Sequence, residues 1–156
     1  MRRMILVLAV LFVGCAKSEP PASESTSTET AAATLSLADL AGTWDGTATA
    51  AGSDTVLTNI ELTATEDPAG WSMTVTNAKN PAMTKQVSPT SVVAAGDSVV
   101  VEAGPFESVL REGQQVSTHT VYHLQDGNLI GTIVATYPAS GDAIVLHSVA
   151  TRRAAQ

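Results

Sequence analysis

The chain has 156 residues but a single cysteine, two residues each of tryptophan, tyrosine and phenylalanine, and only eight Lys and Arg against fifteen Asp and Glu. With Cys15 as the sole thiol, an internal disulfide framework is excluded. The few aromatics, one of them (Phe12) inside an apolar N-terminal run, argue against a stacking platform for sugars or bases. The formal charge of −7 leaves no electrostatic footprint for nucleic acid, and none is expected as a partner. Met4 to Val13 is too short an apolar run to cross a bilayer, and no second run reaches membrane-spanning length. No nucleophile elbow, phosphate loop or close carboxylate pair is present, so the expectation is a non-enzyme with no catalytic residue and no cofactor.

What is there begins at the N-terminus. Arg2 and Arg3 precede the apolar stretch Met4 to Val13, then come Gly14 and Cys15. A lone thiol in a secreted chain is a reactive liability unless it is modified. The segment resembles a bacterial lipoprotein signal: Leu11, Gly14 and Cys15 fit the lipobox, while Phe12 and Val13 are bulkier than its usual residues. The resemblance implies a signal peptide over residues 1–14 and lipidation at Cys15, which becomes the first mature residue. The membrane is then a partner, held through the acyl chains. One chain anchors weakly, at about 0.8 kcal/mol per buried methylene, and the family generally carries three. Ala16, rather than Asp, follows the cysteine. In a Gram-negative cell that pattern implies the outer membrane, facing the periplasm. A plain secretory signal is the alternative.

Residues 15–34 form the lipidated cysteine and a tether. From Lys17 to Thr34 the chain is rich in Ser, Thr, Glu, Pro and Ala, with no aliphatic larger than alanine. Such a segment cannot bury enough surface to offset chain entropy and is expected to be disordered. As a coil it spans roughly 25 Å, enough to lift a domain off lipid head groups. Without Arg2 and Arg3, six basic side chains face fifteen acidic ones, a balance of −9.

The remainder, 35–153, reads as one all-β domain. Ser36 caps a single helical turn, Leu37 to Leu40, which Gly42 stops. Period-two alternation follows in Thr43 to Ala50, Thr55 to Thr65 and Trp71 to Thr76, as in half-buried antiparallel strands. Pro89 inside Val87 to Ala94 implies an edge, a bulge or a break, and Gly104-Pro105 separates Val99-Val101 from Phe106 to Arg111. Val116 to Leu124, Leu129 to Tyr137 and Ile144 to Arg152 complete the series, the first pair joined at Asp126-Gly127, a strong hairpin signal. Eight or nine strands joined by short turns suit an antiparallel up-and-down β-barrel or a two-sheet β-sandwich.

Gly42-Thr43-Trp44, opening the first strand after a helical turn, resembles the Gly-x-Trp start of the lipocalins and related small barrels. In that family a basic residue of the last strand packs across the tryptophan at the closed end; Arg152 or Arg153 occupies the corresponding place here. The family's middle motif and C-terminal helix have no counterpart in this chain. A two-residue loop at Asp126-Gly127 pairs Leu124 with Leu129, Tyr122 with Gly131 and Thr120 with Ile133. The inner face then carries Val116, Tyr122, Leu124, Leu129, Ile133, Ala135 and Tyr137. Small inward residues such as Gly46, Ala48, Ala64 and Gly131 either leave an apolar cavity or let the walls approach and fill it.

His119 and His123 share a strand face about 13 Å apart, too far for one zinc ion with ligand bonds of about 2 Å. His147 is expected near Ile133, on the opposite face. No metal site is assigned. Glu107 and Glu112 are expected to pair locally with Arg111. The leading expectation is an envelope-anchored lipoprotein whose barrel binds a small apolar or amphipathic ligand against Tyr122, Ile133 and Tyr137, with Trp44 closing the base. The alternative is a structural or interaction module that docks to an envelope protein through a strand edge near Pro89.

Overall fold

The alternation of apolar and polar residues becomes nine antiparallel strands in the computed structural model, which describes residues 34–154. They are β1 (Gly42–Ala50), β2 (Val56–Ala64), β3 (Ser72–Asn77), β4 (Thr84–Val87), β5 (Pro89–Ala95), β6 (Ser98–Glu107), β7 (Gln115–Gln125), β8 (Asn128–Tyr137) and β9 (Asp142–Arg152). The signal peptide, Cys15 and nearly all of the tether lie outside the described residues; Thr34 is described and exposed. One helical turn, α1 (Leu37–Leu40), precedes β1. Its capping box is reciprocal: Asp39 N–H donates to Ser36 Oγ at 3.3 Å, and Ser36 N–H donates to the Asp39 carboxylate at 2.9 Å.

The strands form a single sheet in the order β4-β3-β2-β1-β9-β8-β7-β6-β5. Its two edges, β4 and β5, are consecutive in the chain with only Ser88 between them. The chain therefore leaves β3 as β4, bends at Ser88 and pairs with β6 as β5, drawing the edges together. Across this seam Lys85 Nζ of β4 meets Glu107 Oε2 of β6 at 2.5 Å. The result is a nearly closed up-and-down barrel of one wrapped sheet rather than two stacked sheets.

Several elements differ from the sequence reading. Thr84 to Val87 is a strand of its own, although only Val87 among them is buried. Pro89, by contrast, behaves as expected, opening β5 at a sheet edge beside a register shift between Pro89 and Ser91. Gly104-Pro105 does not break the chain into two strands: β6 runs through it, absorbing the extra length as a register shift between Ala103 and Phe106. At the β7–β8 hairpin, Asp126 (φ 51°) and Gly127 (φ 78°) take the left-handed conformation of a two-residue type I′ turn. That turn sets the expected pairs Tyr122 with Gly131 and Thr120 with Ile133. Leu124 also pairs with Leu129 as expected, but it is exposed where Leu129 is wholly buried.

The core divides along the barrel axis. One end is filled by α1, Leu62, Trp71, Leu129 and Trp44, with Trp44 wholly buried. Two smaller clusters occupy the other end, Ala48, Ile60, Ile133 and Leu146 in one and Val116, Ala135 and Tyr137 in the second.

Candidate functional site

The filled end is held by side chains with two roles each. Trp44 Nε1 donates to the Leu40 carbonyl at 2.8 Å, tying β1 to the helical turn above it. Of Arg152 and Arg153, the first lies over the Trp44 ring, its guanidinium carbon 4.3 Å from the ring centre. The same guanidinium donates to the carbonyls of Ala41 and Asp39, the latter at 2.6 Å, so it caps α1 and covers the indole together. Arg153 points to the outer surface, where it donates to Asp45 and, at 2.6 Å, to Glu61. This bonding holds the Asp45 carboxyl below its usual range.

Small inward residues are mostly consumed by close packing. A Cβ at Gly131 would sit 2.5 Å from the Tyr122 ring, and one at Gly46 would sit 2.6 Å from the Ala150 Cβ. The aromatic ring and the neighbouring strand thus occupy the space these glycines release.

A void persists at the other end. It measures about 60 Å³, and its wall includes Ile60, Tyr122, Ile133, Ala135, Tyr137 and Leu146. Tyr122, Ile133 and Tyr137 therefore come together on one wall. Trp44 does not join them, because its bonds to Leu40 and Arg152 keep it at the far end. Tyr122 forms the side of the void nearest the filled core, and burial pushes its phenol up to about 12 against an opposing hydrogen bond from Ser148. No lining residue carries a charge.

The loop 108–114 between β6 and β7 supplies part of the wall of the void, which is partly open to solvent. Ser108 Oγ accepts the N–H groups of Leu110 and Arg111, both at 3.1 Å, and pairs with the Tyr137 hydroxyl at 3.1 Å. Asn77 Nδ2 donates to the Val109 carbonyl at 2.7 Å, fastening the loop to β3. Val109 and Leu110 turn inward as part of the lining. Outside, the Arg111 guanidinium lies 4.1 Å from the Tyr137 ring centre and donates to Asp142 at 2.7 Å, which holds the Asp142 carboxyl down. Arg111 thus pairs with Asp142 across to β9, not with its neighbours Glu107 and Glu112; Glu107 is taken by Lys85. The sequence reading missed this loop, since it sets Phe106 to Arg111 apart only as a further segment after Gly104-Pro105.

The three histidines are exposed on the outer surface. His119 Nδ1 lies 2.5 Å from Glu102, and His123 lies 3.8 Å from Asp97. His147 faces outward with them, contrary to its expected placement: Tyr137 pairs with Asp142, so His147 meets Thr132 rather than Ile133. A shift of one residue turns a side chain to the other face. Among the described residues no three His, Cys, Asp or Glu are grouped to hold a metal ion, and no helix is long and apolar enough to cross a membrane.

These features define an all-β up-and-down barrel, plugged at one end and holding a small, uncharged, partly open void at the other. Comparison of the chain with protein-family models, curated proteins and solved structures gives no match.

Proposed function

We propose that the protein is a non-enzymatic lipoprotein of the cell envelope, anchored through lipidated Cys15, whose barrel binds a small apolar or amphipathic molecule. The supporting observation is the uncharged void bounded by Tyr122, Ile133 and Tyr137 beneath the 108–114 loop. An engineered cavity of about 150 Å³ in another protein binds benzene, so a void of this size takes only a few heavy atoms while the loop stays down. Larger ligands extend through the open side past this loop, whose fastenings are a handful of hydrogen bonds rather than a strand ladder. The lipocalin resemblance supports the same reading through Trp44 and Arg152, which plug the opposite end.

Native mass spectrometry of the protein purified from its own host envelope tests ligand binding. A reproducible added mass that leaves on gentle activation, and that Ala135→Leu abolishes by filling the void, is expected. A bare mass for both forms counts against the reading. For the anchor, Cys15→Ser is expected to release the protein from membranes and to end metabolic labelling by palmitate.

A second reading has its own observation. Val145 and Val149, four residues apart on one face of β9, stand exposed on the outer surface, 43% and 50% accessible. A surface of this kind supports docking to an envelope protein. Cross-linking in intact cells, with and without Val145→Lys, tests it.

A further inference from the structure

The outward positions of β7, β8 and β9 form one lattice, because the three strands pair in unbroken register. Three rows cross from β9 to β8: Val149 beside Ile130, His147 beside Thr132, and Val145 beside Val134. Two aliphatic rows thus flank a polar one. The face is also bare of fixed charge. β7 and β8 hold no Asp, Glu, Lys or Arg, and β9 holds none between Ala143 and Thr151. The chain as a whole carries −7, and its strand carboxylates stand elsewhere, Asp45 and Glu61 on β1 and β2, Glu102 and Glu107 on β6. At the β6 margin His119 is taken by Glu102, and His123 lies 3.8 Å from Asp97.

We propose that this face is the contact between two copies of the chain, packed face to face about a two-fold axis along the central row. The inference rests on the second reading above, docking through the β9 face, and names its partner. A two-fold lying along the His147 and Thr132 row leaves that row facing itself and turns the first row onto the third. Val149 then meets Val145 of the second copy, and Ile130 meets its Val134. Aliphatic groups face aliphatic groups on both sides of the axis. Charge selects the same partner. A basic protein is drawn to the faces that bear carboxylates, and an acidic one is repelled by the whole molecule. A second copy meets least repulsion where neither surface carries a carboxylate. The face is three strands wide, about 14 Å, which puts it at the low end of interface sizes and makes the pair weak and reversible.

The test is sedimentation velocity of the purified full chain up to about 1 mM, in wild type, Thr132→Lys and Thr132→Glu. Thr132 is exposed, so both substitutions leave the fold intact. Wild type is expected to dimerise reversibly, and more strongly as added salt screens the like net charges of the two copies. Each variant alone is expected to associate at least about tenfold more weakly, because equal charges face each other on the axis. An equal mixture of the two restores the dimer, since lysine then faces glutamate. A mixture no more associated than either variant alone overturns the two-fold contact, and so does a wild-type dimer that neither variant weakens. A wild type that stays monomeric throughout overturns the second copy as partner. The docking reading then stands only if Val145→Lys removes a cross-link to a different protein in intact cells, and it falls as well if no such adduct forms.

Discussion

Truncating Trp44 to alanine removes the plug at the filled end, and the structure gives its worth. The indole is wholly buried. A tryptophan hides about 150–250 Å², or about 4–6 kcal/mol at about 25 cal/mol per Å². Residual burial in the unfolded chain lowers that figure and the cavity left behind raises it, so about 3–5 kcal/mol is expected. Two further contacts go with the ring: the Nε1 bond to Leu40 and the face under Arg152. Because Arg152 is exposed at the strand end, its stacking contributes only about 0.5–1 kcal/mol. Urea unfolding followed by circular dichroism measures the sum. With a slope of about 2 kcal/mol per molar, the midpoint should fall by about 2 M. Trp44→Phe keeps a ring beneath Arg152 but lacks the N–H, and is expected to lose clearly less than the alanine form. A loss below about 1 kcal/mol for Trp44→Ala, or equal losses for the two variants, refutes the plug.

Three other outcomes follow from the void and its walls. The Tyr122 phenol ionises near 10 in the unfolded chain and at about 12 when folded. Its folded value is the higher one, so stability is full below pH 10 and drains away as the pH rises toward 12, by about 3 kcal/mol in all. Tyr122→Phe should remove that loss from urea midpoints measured between pH 9 and 12; parallel curves for the two forms would contradict it. Arg111→Ala cuts the latch to Asp142 and Tyr137, and should speed amide exchange at Val109 and Leu110 while β8 is unaffected. Acid should act in the same direction, because the lowered Asp142 value means the latch is intact above the ordinary carboxylate range and is lost as the pH falls through the folded value. Gly131→Ala drives a methyl into the Tyr122 ring and should destabilise by about 1–3 kcal/mol; a neutral result by thermal melting would mean the ring does not rest there.

The strand pattern was legible because a barrel wall with one wet face imposes strict alternation, and Asp126-Gly127 set the register of its hairpin without help from the rest of the fold. The pairing of Tyr122 with Gly131 followed from that turn alone. Register across Pro138 to Gly141 was not legible, since a four-residue loop leaves more than one pairing open, and His147 was placed on the wrong face. β4 escaped notice because Lys85 and Gln86 follow no apolar pattern, and the seam supplies the reason Lys85 is there. The gathering of Tyr122, Ile133 and Tyr137 could be anticipated from the inner face of one hairpin. The 108–114 loop could not: its hold on that wall rests on the Ser108 and Asn77 hydrogen bonds, which no local pattern announces.

The order of the strands also bears on when the barrel can exist. β1 to β4 form one arm of the sheet and β5 to β9 the other, and they meet where Trp44 pairs with Arg152. During synthesis the first arm emerges with one flank of β1 bare, and the strand that covers it is made last. A nascent barrel thus carries an open, β-prone flank until β9 appears, and long-range pairings of this kind form slowly. The barrel is therefore unable to close early: β9 sets the moment of closure, and Arg152 laid over Trp44 completes it.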